Sequence, residues 1–148
     1  MSGRTLNVLV IEDNPTDAEL IQLALGDADG ATFHIEEAGR LADGFQIIEQ
    51  KRIDVILLDL NLPDSSGLAT LRTVLQAAPQ IPVVVLTGVD DDKVSEEACQ
   101  MGAHDYIAKN LLNSFSLPHS LRYAILRHEL KSLEDDTKEL RALKKKDG

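Results

Sequence analysis

The chain has a single cysteine, no apolar run near the length needed to cross a bilayer, and a shortage of basic side chains. Each scarcity excludes something. One cysteine rules out an intrachain disulfide, and Cys99, inside a helical pattern, reads as a small packing or surface residue and not as a reactive thiol. With no apolar segment of about 20 residues and no charged-then-apolar leader at Met1, the sequence reads as a cytoplasmic protein without membrane insertion. There are 15 Lys+Arg against 25 Asp+Glu, a formal net charge of -10, and the imbalance lies in one part: 7 against 19 before Ser114, then 8 against 6. An acidic body of this kind repels a phosphate backbone, so direct nucleic-acid binding is disfavoured, while attraction for divalent cations is favoured.

What is present is an ordinary globular composition, 43% hydrophobic and 27% charged over 148 residues, enough for one domain with its own core. Residues 6–11 (LNVLVI) suit a buried strand, and Pro15 opens the amphipathic run PTDAELIQLALGDA with Leu20, Ile21, Ala24 and Leu25 on one face. Residues 33–37 alternate like a strand with one covered face, which places that strand at a sheet edge; Leu41, Phe45, Ile47 and Ile48 follow at helical spacing. Residues 53–58 form the third strand. After the loop NLPDSSG come a helix over about 68–78, a strand over 82–86, a helix over about 92–101 stopped by Gly102, a short strand in DYIA and a long helical pattern from about Phe115. Five alternations of strand and helix predict an α/β fold, a doubly wound parallel sheet with right-handed crossovers and helices on both faces.

The polar residues then fall in one place. Glu12 and Asp13 follow the first strand, Asp59 interrupts the apolar run of the third, Thr87 ends the fourth and Lys109 follows the fifth. All are carboxyl ends, which converge on the rim where open parallel sheets bind ligands. Three acids brought together repel one another unless a cation intervenes, and Mg²⁺ suits hard oxygen donors that leave part of its sphere to water and phosphate.

These residues resemble the receiver domains of two-component response regulators. The likeness spans residues 6–127 and rests on IEDN after the first strand, LLDLNLPDSSG, LTG after the fourth, DYIAK at the fifth, and their order. It implies a flavodoxin-like five-stranded sheet of order 2-1-3-4-5, with residues 1–127 as the receiver and 128–148 as an extension of the last helix. It implies that Asp59 accepts a phosphoryl group from the phosphohistidine of a sensor kinase or phosphotransfer protein. By the same likeness, Asp13 and Asp59 ligate Mg²⁺ directly, Glu12 through water, and the backbone carbonyl of Asn61 completes the set. Lys109 becomes the mobile cation, Thr87 bonds the phosphoryl group with Gly88 leaving room beside it, and Tyr106 is the switch aromatic that turns inward. Such a domain catalyses its own phosphorylation and dephosphorylation and is not a turnover enzyme. Plainer readings exist: Glu12 and Asp13 as acids ahead of a helix N-terminus, Lys109 as a solvated lysine, Tyr106 as packing.

The chain departs from the family after Lys109, where Asn110 replaces a common cis proline; a cis bond is costly there, so the loop KNLLNSFS is expected to follow another path. In the last helix Leu126, Leu130, Leu133 and Leu140, with Thr137 between, keep a four-three spacing that reads as a coiled-coil connector to an output module or a second copy, or as a solvated helix fraying after about Asp135. The terminal KKKDG reads as a solvated end. RHELKSL around His128 touches on a kinase phosphoacceptor box, yet His128 reads as a surface residue, and His34, His104 and His119 as isolated. Against the phosphorylation switch stand an adaptor of the same fold that works without phosphate and, further off, a Mg²⁺-dependent phosphohydrolase.

Overall fold

The computed structural model describes residues 5–26, 32–88 and 92–147, without the side chains of residue 139 and residues 141–147. In chain order the elements are β1 (Thr5–Ile11), α1 (Pro15–Gly26), β2 (Thr32–Ala38), α2 (Leu41–Gln50), β3 (Val55–Asp59), β4 (Asn61–Leu62), β5 (Ser65–Ser66), α3 (Leu68–Ala77), β6 (Val83–Thr87), α4 (Asp92–Met101), β7 (Asp105–Ala108), a 3₁₀ turn (Lys109–Leu111) and α5 (Ser116–Asp147). The main sheet is β2-β1-β3-β6-β7, parallel throughout, with β2 at an edge. Counting only its five strands, this is the expected 2-1-3-4-5 order. The LALGDA end of the first helical pattern and the terminal lysines fall partly outside the described residues.

Alternation sends each strand's side chains to two cores. Leu9, Ile11, Ile56, Leu58, Val83 and Val85 pack under α2, α3 and α4 with Leu71, Val74 and Ala98. Val8, Val10, Val55, Leu57, Val84 and Leu86 pack under α1 and α5 with Ile21, Leu25, Leu117 and Leu121. Sheet burial on both faces explains why β3 and β6 read as continuous apolar runs. At Gly44 a Cβ would lie 2.8 Å from Ile11 Cδ1, so the missing side chain is what lets α2 settle on β1. Leu20, expected on the buried face of α1, is 46% exposed instead. The contact stripe runs through Ile21, Ala24 and Leu25, and Leu20 sits about 100° around the helix from Ile21, past the stripe's edge.

Two connections place the rim. Asn14 accepts hydrogen bonds at Oδ1 from the N–H groups of Thr16 (2.9 Å) and Asp17 (3.2 Å), capping α1 ahead of Pro15. After β3, the loop contains a hairpin that its polar composition concealed: β4 pairs antiparallel with β5. Buried Thr70 ties this loop down, donating to the carbonyl of Leu60 (3.1 Å) and sharing a 2.7 Å hydroxyl bond with Ser65. Asp64 crosses to α2 and accepts the N–H groups of Leu41 (3.1 Å) and Ala42 (3.2 Å).

His104 and His128 are a pair, with His104 Nε2 3.1 Å from His128 Nδ1, and His128 is half-buried. Val83 N–H donates to His104 Nδ1 at 3.2 Å, which leaves the His104 Nε2–H to donate to His128. Residues 24 apart in sequence give no local pattern for such a contact. His34 and His119 also have neighbours: His34 Nε2 lies 2.9 Å from Glu36, and His119 stacks on Phe115 with ring centroids 6.0 Å apart.

Candidate functional site: an acidic rim around one lysine

Strand register brings the site together. Ile11 pairs with Leu58, so Glu12 and Asp59 emerge side by side at the carboxyl edge, and Thr87 pairs with Ala108, one residue before Lys109. The carboxylates of Glu12, Asp13 and Asp59 offer ligand oxygens that all lie within 4.8 Å of one another, the first and last buried and Asp13 exposed. Asp59 is 6% exposed, the last residue of a fully buried strand. Its Oδ1 accepts the N–H of Asn61 at 3.0 Å and its Oδ2 accepts Lys109 Nζ at 3.1 Å.

Lys109 is the hub. Its Nζ lies 2.8 Å from Asp17 Oδ2, 3.0 Å from Glu12 Oε2 and 3.1 Å from Asp59 Oδ2. Asp17 was missed by the sequence reading. Its signal is its spacing: in the first turn of α1, four residues beyond Asp13, it faces the rim as the helix leaves it. The loop after Lys109 takes a 3₁₀ turn with trans peptides among the described residues, held by Asn113 Oδ1, which accepts the N–H groups of Phe115 (2.9 Å) and Ser116 (2.8 Å).

The charges shift one another. Burial lowers the affinity of Lys109 for its proton, but Asp17, Glu12 and Asp59 overcome that and raise its pKa. Glu12 is pushed up to about 7, first by burial and then by Asp59, against the lowering effects of the Asn14 N–H and Lys109. Its Oε1 accepts the Asn14 N–H at 3.0 Å, while its buried Oε2 takes no hydrogen bond and meets Lys109 out of alignment. A buried carboxylate oxygen that has an ion pair but no aligned hydrogen bond, beside two further carboxylates, suits the donor set of a hard cation, with Asp13 open to the waters Mg²⁺ retains.

Thr87, 4% exposed, and Gly88 border a hollow of about 480 Å³ between α4 and α5, also lined by Tyr106, Phe115 and His119. Tyr106 is 44% exposed on β7. Cys99 is partly buried, and burial pushes its thiol pKa up, the opposite of an activated nucleophile.

This chain belongs to the response regulator receiver domain family, whose model matches residues 8–117. It is similar to the probable transcriptional regulatory protein TcrX of Mycobacterium tuberculosis, 32% identical over 127 residues, which cover 84% of this chain and 49% of that protein. It is 35% identical over 104 residues to the cell cycle transcriptional regulator CtrA of Caulobacter vibrioides, covering 70% of this chain and 44% of that one. The chain spans about half the length of the curated relatives it matches. Among solved structures, a response regulator receiver domain protein from Clostridium thermocellum superposes with a TM-score of 0.70 at 29% identity, covering 84% of this chain and 98% of the other. As a receiver domain, the chain is a signalling module of two-component systems. Among the described residues, no helix is long and apolar enough to cross a membrane.

Proposed function

We propose that Asp59 is the phosphoacceptor and that the rim switches the domain between two states. One Asp59 oxygen attacks the phosphorus of a phosphohistidine on a sensor kinase or phosphotransfer protein. The new P–O bond makes an acyl phosphate while the P–N bond breaks, and the departing imidazole keeps the electron pair and takes a proton from solvent. Water later attacks the same phosphorus, breaks the P–O bond to Asp59 and releases phosphate. The observation that carries this reading is the Asp59 carboxylate at a strand end, oriented by Asn61 N–H, beside Lys109 and within a cluster of two further acids.

Transfer of a phosphoryl group depends mainly on positioning and on neutralising its oxygens. Asp13 and Asp59 would hold Mg²⁺ directly, Glu12 through water and Asn61 through its carbonyl. When bound, the ion offsets the charge that gathers on the phosphoryl oxygens. Lys109, released from part of its three-carboxylate cage, pairs with one of those oxygens. Thr87 donates its hydroxyl to another, and Tyr106 turns from solvent into the hollow beside Thr87. The change reaches an output domain or partner through the last helices, with residues 1–127 as the receiver and 128–148 as the connector, in the cytoplasm.

The test is intact mass after incubation with acetyl phosphate, with and without Mg²⁺, for the native chain and Asp59→Asn. One added phosphoryl group that requires both Mg²⁺ and Asp59 supports the reading. No addition to folded, Mg²⁺-binding protein overturns it in favour of an adaptor that works without phosphate.

A further inference from the structure

Helix α5 has two apolar faces. Leu117, Leu121 and Ala124 are fully buried against the sheet. At about 100° per residue, Tyr123, Leu126, Leu130, Leu133 and Leu140 lie roughly half a turn away, on the side facing outward. They are 46%, 52%, 51%, 61% and 63% exposed. The domain therefore covers one face and leaves the other open from Tyr123 to Leu140 among the described residues.

The open stripe has the form of a helix-pairing seam. Tyr123, Leu130 and Thr137 alternate with Leu126, Leu133 and Leu140 at three- and four-residue steps, a heptad with leucine at every second seam position. Thr137 fits that seam because its hydroxyl donates to the carbonyl of Leu133 at 2.9 Å, leaving its methyl group for packing. The stripe is two residues in seven wide, with Lys131, Ser132, Asp135 and Lys138 elsewhere on the helix, too narrow for a membrane surface. Among the described residues, the helix's last hydrogen bonds to the body are Arg127 Nη1 to the His104 carbonyl (2.8 Å) and the His104–His128 contact. Nearly 20 residues then run on, a length that is marginal as an isolated helix in water.

We propose that this stripe pairs with the same stripe of a second copy, antiparallel, as a two-fold symmetric helix pair. Charge selects both partner and direction. The residues before Ser114 carry 19 acidic against 7 basic side chains, so two bodies repel, and an antiparallel pair holds them at opposite ends. With Leu130 facing Leu133 of the second copy, Arg127 of each copy meets Glu134 of the other, although Glu129 then faces Asp136. A parallel pair would set Arg122 against Arg127 and Glu129 against Glu134. The pairing does not rest on phosphorylation of Asp59.

The test is sedimentation equilibrium of the full chain up to about 100 µM, since association follows mass action. A dimer is expected, and Leu130→Glu with Leu133→Glu should weaken it about a hundredfold or more. Because both leucines face away from the body, the double variant should keep the native cooperative unfolding of the body, while the helical circular dichroism lost on dissociation is limited to the residues beyond His128. Spin labels on a cysteine replacing Lys138, in a Cys99→Ser background, report direction: thirteen residues of offset between the copies separate them by about 20 Å along the axis when antiparallel, and none when parallel. A native chain that stays monomeric at the highest concentration, a dimer indifferent to the double substitution, or labels lying side by side would each overturn the proposal.

Discussion

Replacing Lys109 by methionine keeps most of the side-chain stem and removes the one ammonium that faces Asp17, Glu12 and Asp59 at 2.8, 3.0 and 3.1 Å. At an effective dielectric of about 20, each contact is worth about 5–6 kcal/mol of attraction. Most of that gross attraction is offset by the cost of drawing the ions out of water, and removing one partner of a buried pair typically costs about 3–5 kcal/mol. The lysine side chain is 26% exposed and that of Asp17 22%, so water takes up part of the loss. A destabilisation of about 3 kcal/mol is expected by urea unfolding at pH 7 with a chelator present. The origin can be separated from simple packing. Mg²⁺ neutralises the same carboxylates, so saturating Mg²⁺ should recover a larger share of stability in Lys109→Met than in the native chain. Lys109→Met should also cost less in an Asp59→Asn background, with a coupling of about 1–2 kcal/mol. A loss under about 0.5 kcal/mol, or the same Mg²⁺ gain in both proteins, would refute the picture of one lysine holding mutually repelling acids.

Acidification tests the His104 pair. Burial first, then the charges of His128, Arg127 and Lys131, holds the His104 pKa down to about 4 from 6.5. The unfolded chain therefore takes up this proton near pH 6.5 and the folded one only near 4, so the stabilisation is complete above pH 6.5 and declines as pH falls toward 4. Discounted for the ring's partial exposure, the loss is about 1–2 kcal/mol, read by urea unfolding across that window, and His104→Gln should flatten it. Gly44→Ala would force a methyl group to 2.8 Å from Ile11 Cδ1, and a loss of about 1–3 kcal/mol is expected by thermal unfolding. Asn14→Ala removes the cap of α1, with a cost of about 1 kcal/mol, and should loosen the Asp17 contact with Lys109 that the capped turn presents.

The strands, the edge place of β2 and most element limits were legible because periodicity and burial coincide: β3 and β6 are buried on both faces, and β2 alternates because it is an edge; the full strand order came from the family resemblance. The rim was legible because parallel strands deliver their carboxyl ends to one side, which places Glu12, Asp13, Asp59, Thr87 and Lys109 together without knowledge of any side-chain contact. What escaped the sequence depends on geometry between distant segments. Asp17 joins Lys109 across 92 residues, and Asp64 reaches α2 across more than 20. The β4–β5 hairpin was hidden in a polar loop by its two-residue strands, shorter than any detectable alternation. Leu20 was misplaced because a helix face was drawn one residue too wide, and the His104–His128 contact escaped because nothing local marks a contact across 24 residues.

The most direct measurement is the identity of the phosphorylated residue. After reaction with acetyl phosphate and Mg²⁺, the native chain is reduced with borohydride, which converts an aspartyl phosphate to homoserine with loss of phosphate, and is then digested and sequenced by tandem mass spectrometry. Homoserine at position 59 alone is the expected result. Homoserine at Asp13 or another carboxylate, or intact aspartate at every position of a folded, Mg²⁺-binding chain, would contradict the assignment of Asp59 as the phosphoacceptor.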